Sequence, residues 1–178
     1  MNQPQRSVPL RFLLDMSAAV WVGTGTLGCE STEAADIETY FCHAERGFCS
    51  TIVIDHIESA QGSLEIAVYT FTLETIAEAL GDAAARGVQV WVLVESQQED
   101  PEVTAILQQN GVYLRKDGNA DLMHHKFMVV DGNRVLSGSY NWTYSADNKH
   151  DENLQVFHSK GMAALYQTEF HRLWALGK

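Results

Sequence analysis

Residues Met123–Trp142 read MHHKFMVVDGNRVLSGSYNW. Two apolar runs, Lys126–Val130 and "RVLSGS" from Arg134, flank Asp131, Gly132 and Asn133. Those three residue types tolerate the positive φ of a tight turn, so the stretch predicts a hairpin of two antiparallel strands. Upstream, four further runs read as strands: "IETYFC" from Ile37, "LEIAVYTF" from Leu64, "VQVWVLVE" from Val88 and "VYLRK" from Val112. Helical periodicity fills the gaps between them. It appears in "STIVIDHIESAQG" from Ser50, in the Ala-rich "ETIAEALGDAAARG" from Glu74, and in "DPEVTAILQQNG" from Asp100. In the last of these, Asp100 is placed to cap the helix and Pro101 to open its first turn. Downstream of the hairpin, "NLQVFHS" from Asn153 predicts a seventh strand. Gly161–Leu176 predicts an amphipathic helix with Leu165, Phe170, Leu173 and Trp174 on its apolar side. The order βαβαβαβ, then hairpin, strand and helix, predicts an α/β fold: a mixed β-sheet flanked by helices on both faces.

A chain of 178 residues is long enough for one such domain and too short for two. Its net charge of −11 argues against bulk attraction to nucleic acid or to an anionic membrane. It leaves room for a local basic site, because one phosphate needs only a few cationic groups. The N-terminus differs from the rest. Arg6 and Arg11 precede an apolar run, and small residues precede Cys29, although Asp15 interrupts the pattern. Residues 1–29 therefore read as a signal sequence or membrane anchor ahead of a domain spanning 30–178. Export to a periplasmic or similar compartment, or membrane anchoring, is expected over a cytoplasmic location. Cys42 and Cys49 in "CHAERGFC" are open to three readings. They form a disulfide in an exported protein, join His43 and Cys29 at zinc, or stay free.

Strand alternation sorts the two adjacent histidines. His124 and Lys126 fall on one face; His125 falls on the other with Phe127 and Val129, which marks it as structural. Gly138, Ser139 and Asn141 end the neighbouring strand and can lie beside His124 across the hairpin. The full spacing is His-x-Lys-x4-Asp-x6-Gly-Ser-x-Asn, from His124 through Asp131 to Asn141. Cleaving a phosphodiester without a metal needs a nucleophile, an acid for the leaving oxygen, and donors for the phosphoryl oxygens. Histidine can be nucleophile or acid near neutral pH. Lys126 supplies positive charge, and Ser139 and Asn141 supply hydrogen bonds. No paired-carboxylate cluster for two metals is evident, so neither a catalytic metal nor a cofactor is expected.

This spacing resembles the "HKD" and "GSxN" motifs of the phospholipase D superfamily. The resemblance runs from about Ile37 to Trp174. It is nearest to the small single-motif members, namely plasmid-type bacterial endonucleases and Zucchini-like mitochondrial enzymes. Glu152, in "HDEN", occupies the place of the acidic residue that follows the motif in that family. A second His-x-Lys, His158 and Lys160, lacks the following Asp. The family pairs two motifs across a twofold axis, one histidine forming a phosphohistidine and the other protonating the leaving oxygen. A single copy thus implies a homodimer with a composite active site. On that basis His124, Lys126, Asp131, Asn141 and Glu152 are the candidate catalytic residues, with Lys126, Ser139 and Asn141 binding substrate. Asp131 and Glu152 would orient His124, Glu152 from nearer by. Nucleic acid is the favoured substrate, with phospholipid or cardiolipin as the alternative; the N-terminal segment would supply any membrane association. Tyr140 and Trp142 are expected in the core, as are Tyr69 and Phe71, although the resemblance sets the last two near the site's mouth.

Overall fold

The computed structural model describes residues 36–42 and 48–178. The N-terminal segment, Cys29 and His43 lie outside the described residues. The elements run β1 (Asp36–Phe41), α1 (Phe48–Glu58), β2 (Ser63–Val68), α2 (Glu74–Ala85), β3 (Gln89–Val94), α3 (Pro101–Gln109), β4 (Tyr113–Lys116), β5 (Lys126–Val130), β6 (Arg134–Gly138), α4 (Tyr144–Asn148), β7 (Asn153–His158) and α5 (Lys160–Leu176). They form one seven-stranded sheet in the order β1-β7-β6-β5-β2-β3-β4.

The sheet is mixed for a local reason. Helical crossovers join β2 to β3 and β3 to β4, and those pairs are parallel. A tight turn joins β5 to β6, which pair antiparallel with Phe127 opposite Ser137 and Val130 opposite Arg134. In that turn Asp131 (φ 51) and Gly132 (φ 60) both take the left-handed conformation read from the sequence. β5 also pairs antiparallel with β2, so the hairpin occupies the middle of the sheet and every residue of β5 is buried.

Alternation along these central strands builds two cores. Leu64, Ile66, Val68, Met128 and Val130 face α1, α2 and α3 in the larger one. Ala67, Phe127 and Val129 face Ala163, Phe170 and Leu173 of α5 in the smaller one. The mixed sheet with helices on both faces is therefore as expected. Asp100 caps α3 by accepting hydrogen bonds from the N–H groups of Glu102 (3.0 Å) and Val103 (3.1 Å). Leu165 is a correction: it is 67 % exposed, because α5 rests on the sheet along Ala163, Phe170 and Leu173 and leaves Leu165 toward solvent.

One short helix was not foreseen. α4, capped by Thr143, buries the carboxylate of Asp147. Asp147 accepts hydrogen bonds from the Ser50 N–H (2.9 Å), the Ser50 hydroxyl (2.8 Å) and the Tyr140 hydroxyl (2.7 Å). It thereby ties the first turn of α1 to the loop after β6. Cys42 and Cys49 form a disulfide, with Cα atoms 5.6 Å apart, that joins the end of β1 to the same turn of α1.

Candidate active site

β2, β3 and β5 all deliver chain to one end of the sheet. β5 runs antiparallel to β2 with Val68 opposite Lys126, so the end of β2 meets the start of β5. One residue beyond, the Tyr69 N–H donates to the His125 carbonyl at 2.8 Å, extending the ladder past both strands. That contact fixes the backbone around the two histidines.

His124 is exposed, and its ring packs against Tyr69 with centroids 4.4 Å apart. Lys126 is buried to 9 % exposure. Its ammonium donates to the His124 carbonyl at 2.8 Å and lies 4.9 Å from the centre of the Tyr69 ring. Burial pulls the Lys126 ammonium below the ordinary lysine range, and the Glu152 carboxylate works against that pull. His125 points to the α5 side as alternation requires. There it contacts Glu169 at 3.3 Å and the Phe127 ring at 5.4 Å, at the margin of the smaller core.

The second half of the site comes from the ends of β6 and β7. The Ser139 hydroxyl donates to the Glu152 carboxylate. The Ser139 N–H donates to the Asn153 side chain at 3.0 Å, and the Asn153 N–H donates back to the Ser139 hydroxyl at 3.1 Å. Gly138 is required by close approach, since a Cβ there would sit 2.1 Å from the Asn153 carbonyl oxygen. His150 flanks Glu152 at 3.7 Å. The backbone of Glu152 is held from the other side, its carbonyl accepting from the Cys42 N–H at 2.9 Å. Asn141 has its amide oxygen buried and without a hydrogen-bond partner among the described residues. The following residue, Trp142, bridges to Phe71, and its carbonyl accepts from the Thr72 and Leu73 N–H groups at 2.8 and 3.1 Å. The loops after β2 and β6 are thus laced together around the site. Phe71, Tyr140 and Trp142 are core residues, as expected, whereas Tyr69, expected there too, is half-buried with its ring against His124.

Asp131 is not part of this arrangement. It lies seven residues beyond His124, about 20 Å along an extended strand, at the opposite end of the sheet. Its carboxylate accepts from the backbone N–H groups of Gly62 (2.7 Å), Ser63 (3.0 Å) and Gln61 (3.1 Å), with Arg134 at 3.9 Å. The expectation that it orients His124 is corrected: alternation and spacing carry it down the strand, where it fastens the α1–β2 loop to the hairpin.

Glu95 went unnoticed in the sequence, where it reads as a surface charge at a strand end. It is 1 % exposed and accepts from the Met123 N–H at 2.7 Å, one residue before His124, and from Ser96 and Gln97. The signal available was its place in "VWVLVES": an acidic residue closing an apolar run at the end of the sheet where His124 begins its strand. Among the described residues no three His, Cys, Asp or Glu side chains converge in a metal-binding arrangement, and no helix is long and apolar enough to cross a membrane.

A family model described as "Cardiolipin synthase, PLD-like domain" matches residues 53–174. The mitochondrial cardiolipin hydrolase of Xenopus tropicalis is 37 % identical over 134 residues, covering 74 % of this chain and 63 % of that protein. The protein of the same name from Chlamydomonas reinhardtii is 33 % identical, over 70 % of this chain and 57 % of its own length. The chain spans somewhat under two thirds of these relatives. Among solved structures, Nuc from Salmonella typhimurium, a phospholipase D family member, superposes with a TM-score of 0.74 at 27 % identity, covering 82 % of this chain and 97 % of that one. NucT from Helicobacter pylori shares the fold at a TM-score of 0.73 and 20 % identity.

Proposed function

The chain belongs to the phospholipase D superfamily of phosphodiesterases, and we propose that it is a metal-independent endonuclease working through a phosphohistidine on His124. The observation that carries this reading is the pairing of an exposed imidazole with a buried ammonium at one end of the sheet. His124 attacks phosphorus, and the bond to the leaving oxygen breaks. A second histidine gives that oxygen its proton. Water then attacks the phosphohistidine, losing a proton to the second histidine, and the phosphorus–nitrogen bond breaks to free His124. Lys126 has three N–H donors and spends one on the His124 carbonyl, which leaves two for a phosphoryl oxygen. The Asn141 side chain carries an NH2 group that can donate to a further phosphoryl oxygen. Glu152, gripped by Ser139, holds the lysine side of the site in electrostatic balance.

The second histidine is His124 of another copy, because the chain carries one complete motif. The reading therefore includes a homodimer whose active site is shared across a twofold axis. The cardiolipin hydrolases among the relatives favour a second substrate class, phospholipid. Leu122 and Tyr144, 55 % and 57 % exposed and close in sequence to His124 and Asn141, suit it, since they offer apolar surface to a lipid. The disulfide supports a location outside the reducing cytosol, in keeping with the export or anchoring read from residues 1–29. Membrane fractionation and alkylation of cysteines in intact cells test that location.

One assay separates the substrates: purified protein in EDTA, offered plasmid DNA, single-stranded RNA and cardiolipin vesicles in parallel. Cleavage of DNA or RNA alone supports the nuclease, and phosphatidic acid released from vesicles alone replaces it with the lipase. Activity lost in EDTA and restored by magnesium overturns the metal-free chemistry.

A further inference from the structure

Tyr69 stands between the two groups on which the proposed chemistry depends. Its ring packs on the His124 imidazole at 4.4 Å, and the Lys126 ammonium sits 4.9 Å from its centre. Its own backbone is pinned by the hydrogen bond to the His125 carbonyl, and the next residues are pinned to Trp142. The ring is thus presented by a fixed stretch of chain. Resting on the functional reading above, we propose that Tyr69 is a positioning residue whose aromatic face holds the His124 imidazole and the Lys126 ammonium in register with each other.

The ring acts in two ways. A buried ammonium loses hydration, which favours the neutral amine, and an aromatic face returns part of that loss through its quadrupole. The groups that face Lys126 are the His124 carbonyl on its own strand, Tyr69 from the end of β2, and Glu152 from the segment before β7, itself flanked by His150. Of these, Tyr69 also packs its ring on the imidazole. Removing the ring leaves the lysine charge less favoured and the imidazole free to rotate. The hydroxyl enters neither effect, so phenylalanine should serve in its place.

The chain has five lysines, so the labelled Lys126 ε-carbon can be followed individually by NMR, assigned with Lys126→Arg. Lys149, over the Tyr144 ring, is an internal control for the fold. In Tyr69→Leu the Lys126 titration midpoint should fall by about half a unit to one unit, with Lys149 unmoved. It should stay at the wild-type value in Tyr69→Phe. On bis(p-nitrophenyl) phosphate, Tyr69→Leu should lose about tenfold in kcat with KM nearly unchanged, and the alkaline limb of its pH profile should move down with the lysine; Tyr69→Phe should match the wild type. A Lys126 midpoint in Tyr69→Leu equal to that of the wild type overturns the proposal, whatever the rates do. Equal damage in Tyr69→Phe also overturns it, since the hydroxyl would then be the active part. Failure of the wild type to cleave any phosphodiester sinks the functional reading alone, and the lysine titration still decides the role of Tyr69.

Discussion

At the scale of single residues, the two adjacent histidines are separated by their surroundings. His124 meets Tyr69 and has Lys126 bonded to its own carbonyl, whereas His125 meets Glu169 and Phe127 on the α5 side. His124→Asn should lower turnover by several orders of magnitude, because a dimer would lose nucleophile and acid together. His125→Asn should keep activity and cost at most about 1 kcal/mol of stability. Steady-state kinetics and urea unfolding of the two variants check this; equal loss of activity with both folds intact would reverse the assignment. Asp131 yields a prediction of another kind. Burial alone would raise its carboxyl, but the N–H groups of Ser63, Gly62 and Gln61, with Arg134, outweigh burial and hold it below the ordinary range. Its stabilising contribution is therefore complete above the unfolded value, about 3.9, and is lost as pH falls through the lowered folded value. Asp131→Asn should cost about 1–2 kcal/mol at neutral pH with kcat little changed, and the gap in melting temperature should close as pH falls through the lowered folded value. The motif spacing singles out His124, Lys126, Ser139, Asn141 and Glu152 as candidates, and the structure sets Lys126 against the His124 carbonyl and Ser139 against Glu152. The spacing misled at Asp131, because a motif implies a shared role and not proximity, and an extended strand carries that carboxylate to the opposite end of the sheet from His124. Glu95 and Asp147 were illegible because a carboxylate in sequence looks solvated. Only the fold reveals the backbone N–H groups and hydroxyls that make its burial tolerable.

Among the elements, each of the seven strands announced itself through runs of β-branched and aromatic residues broken by Gly or Asp. The helices with periodic apolar faces were equally plain. α4 escaped because five residues make little more than one turn, too few for a period to register. Its position is set by tertiary contact, through Asp147 to Ser50 and Tyr140, and not by propensity. Asp147→Ala should remove the carboxylate that fastens Ser50 and Tyr140 to α4 and cost about 2–3 kcal/mol. The loss should appear as faster hydrogen exchange in α1 as well as in α4; protection lost in α4 alone would show that the clamp does not hold α1. Reducing the disulfide acts on the same turn of α1. Its loop is short, so the loss expected from chain entropy is about 2.5 kcal/mol, read as a drop in melting temperature with added reductant.

For the molecule as a whole, the single motif makes the oligomeric state a chemical question. Light scattering should give twice the chain mass in dilute solution. Mixing wild-type and His124→Asn chains should produce heterodimers with one histidine and almost no turnover, some of them trapped as phosphoenzyme. Activity that falls with the fraction of wild-type chains, and not with that of wild-type homodimers, would show each chain working alone. The strand order carries one more consequence, and it concerns time. β1 is the first of the described strands, and among the described residues its neighbour in the sheet is β7, with Ile37 paired to Phe157 and Phe41 to Asn153. Contacts so distant along the chain form late. The Cys42 N–H that holds the backbone of Glu152 arrives with that pairing. A chain still emerging from the ribosome, or one cut short before its last strand, can carry His124, Lys126 and Asn141 in full and yet have no assembled site. Assembly of the site is thus timed by the pairing of β1 with β7.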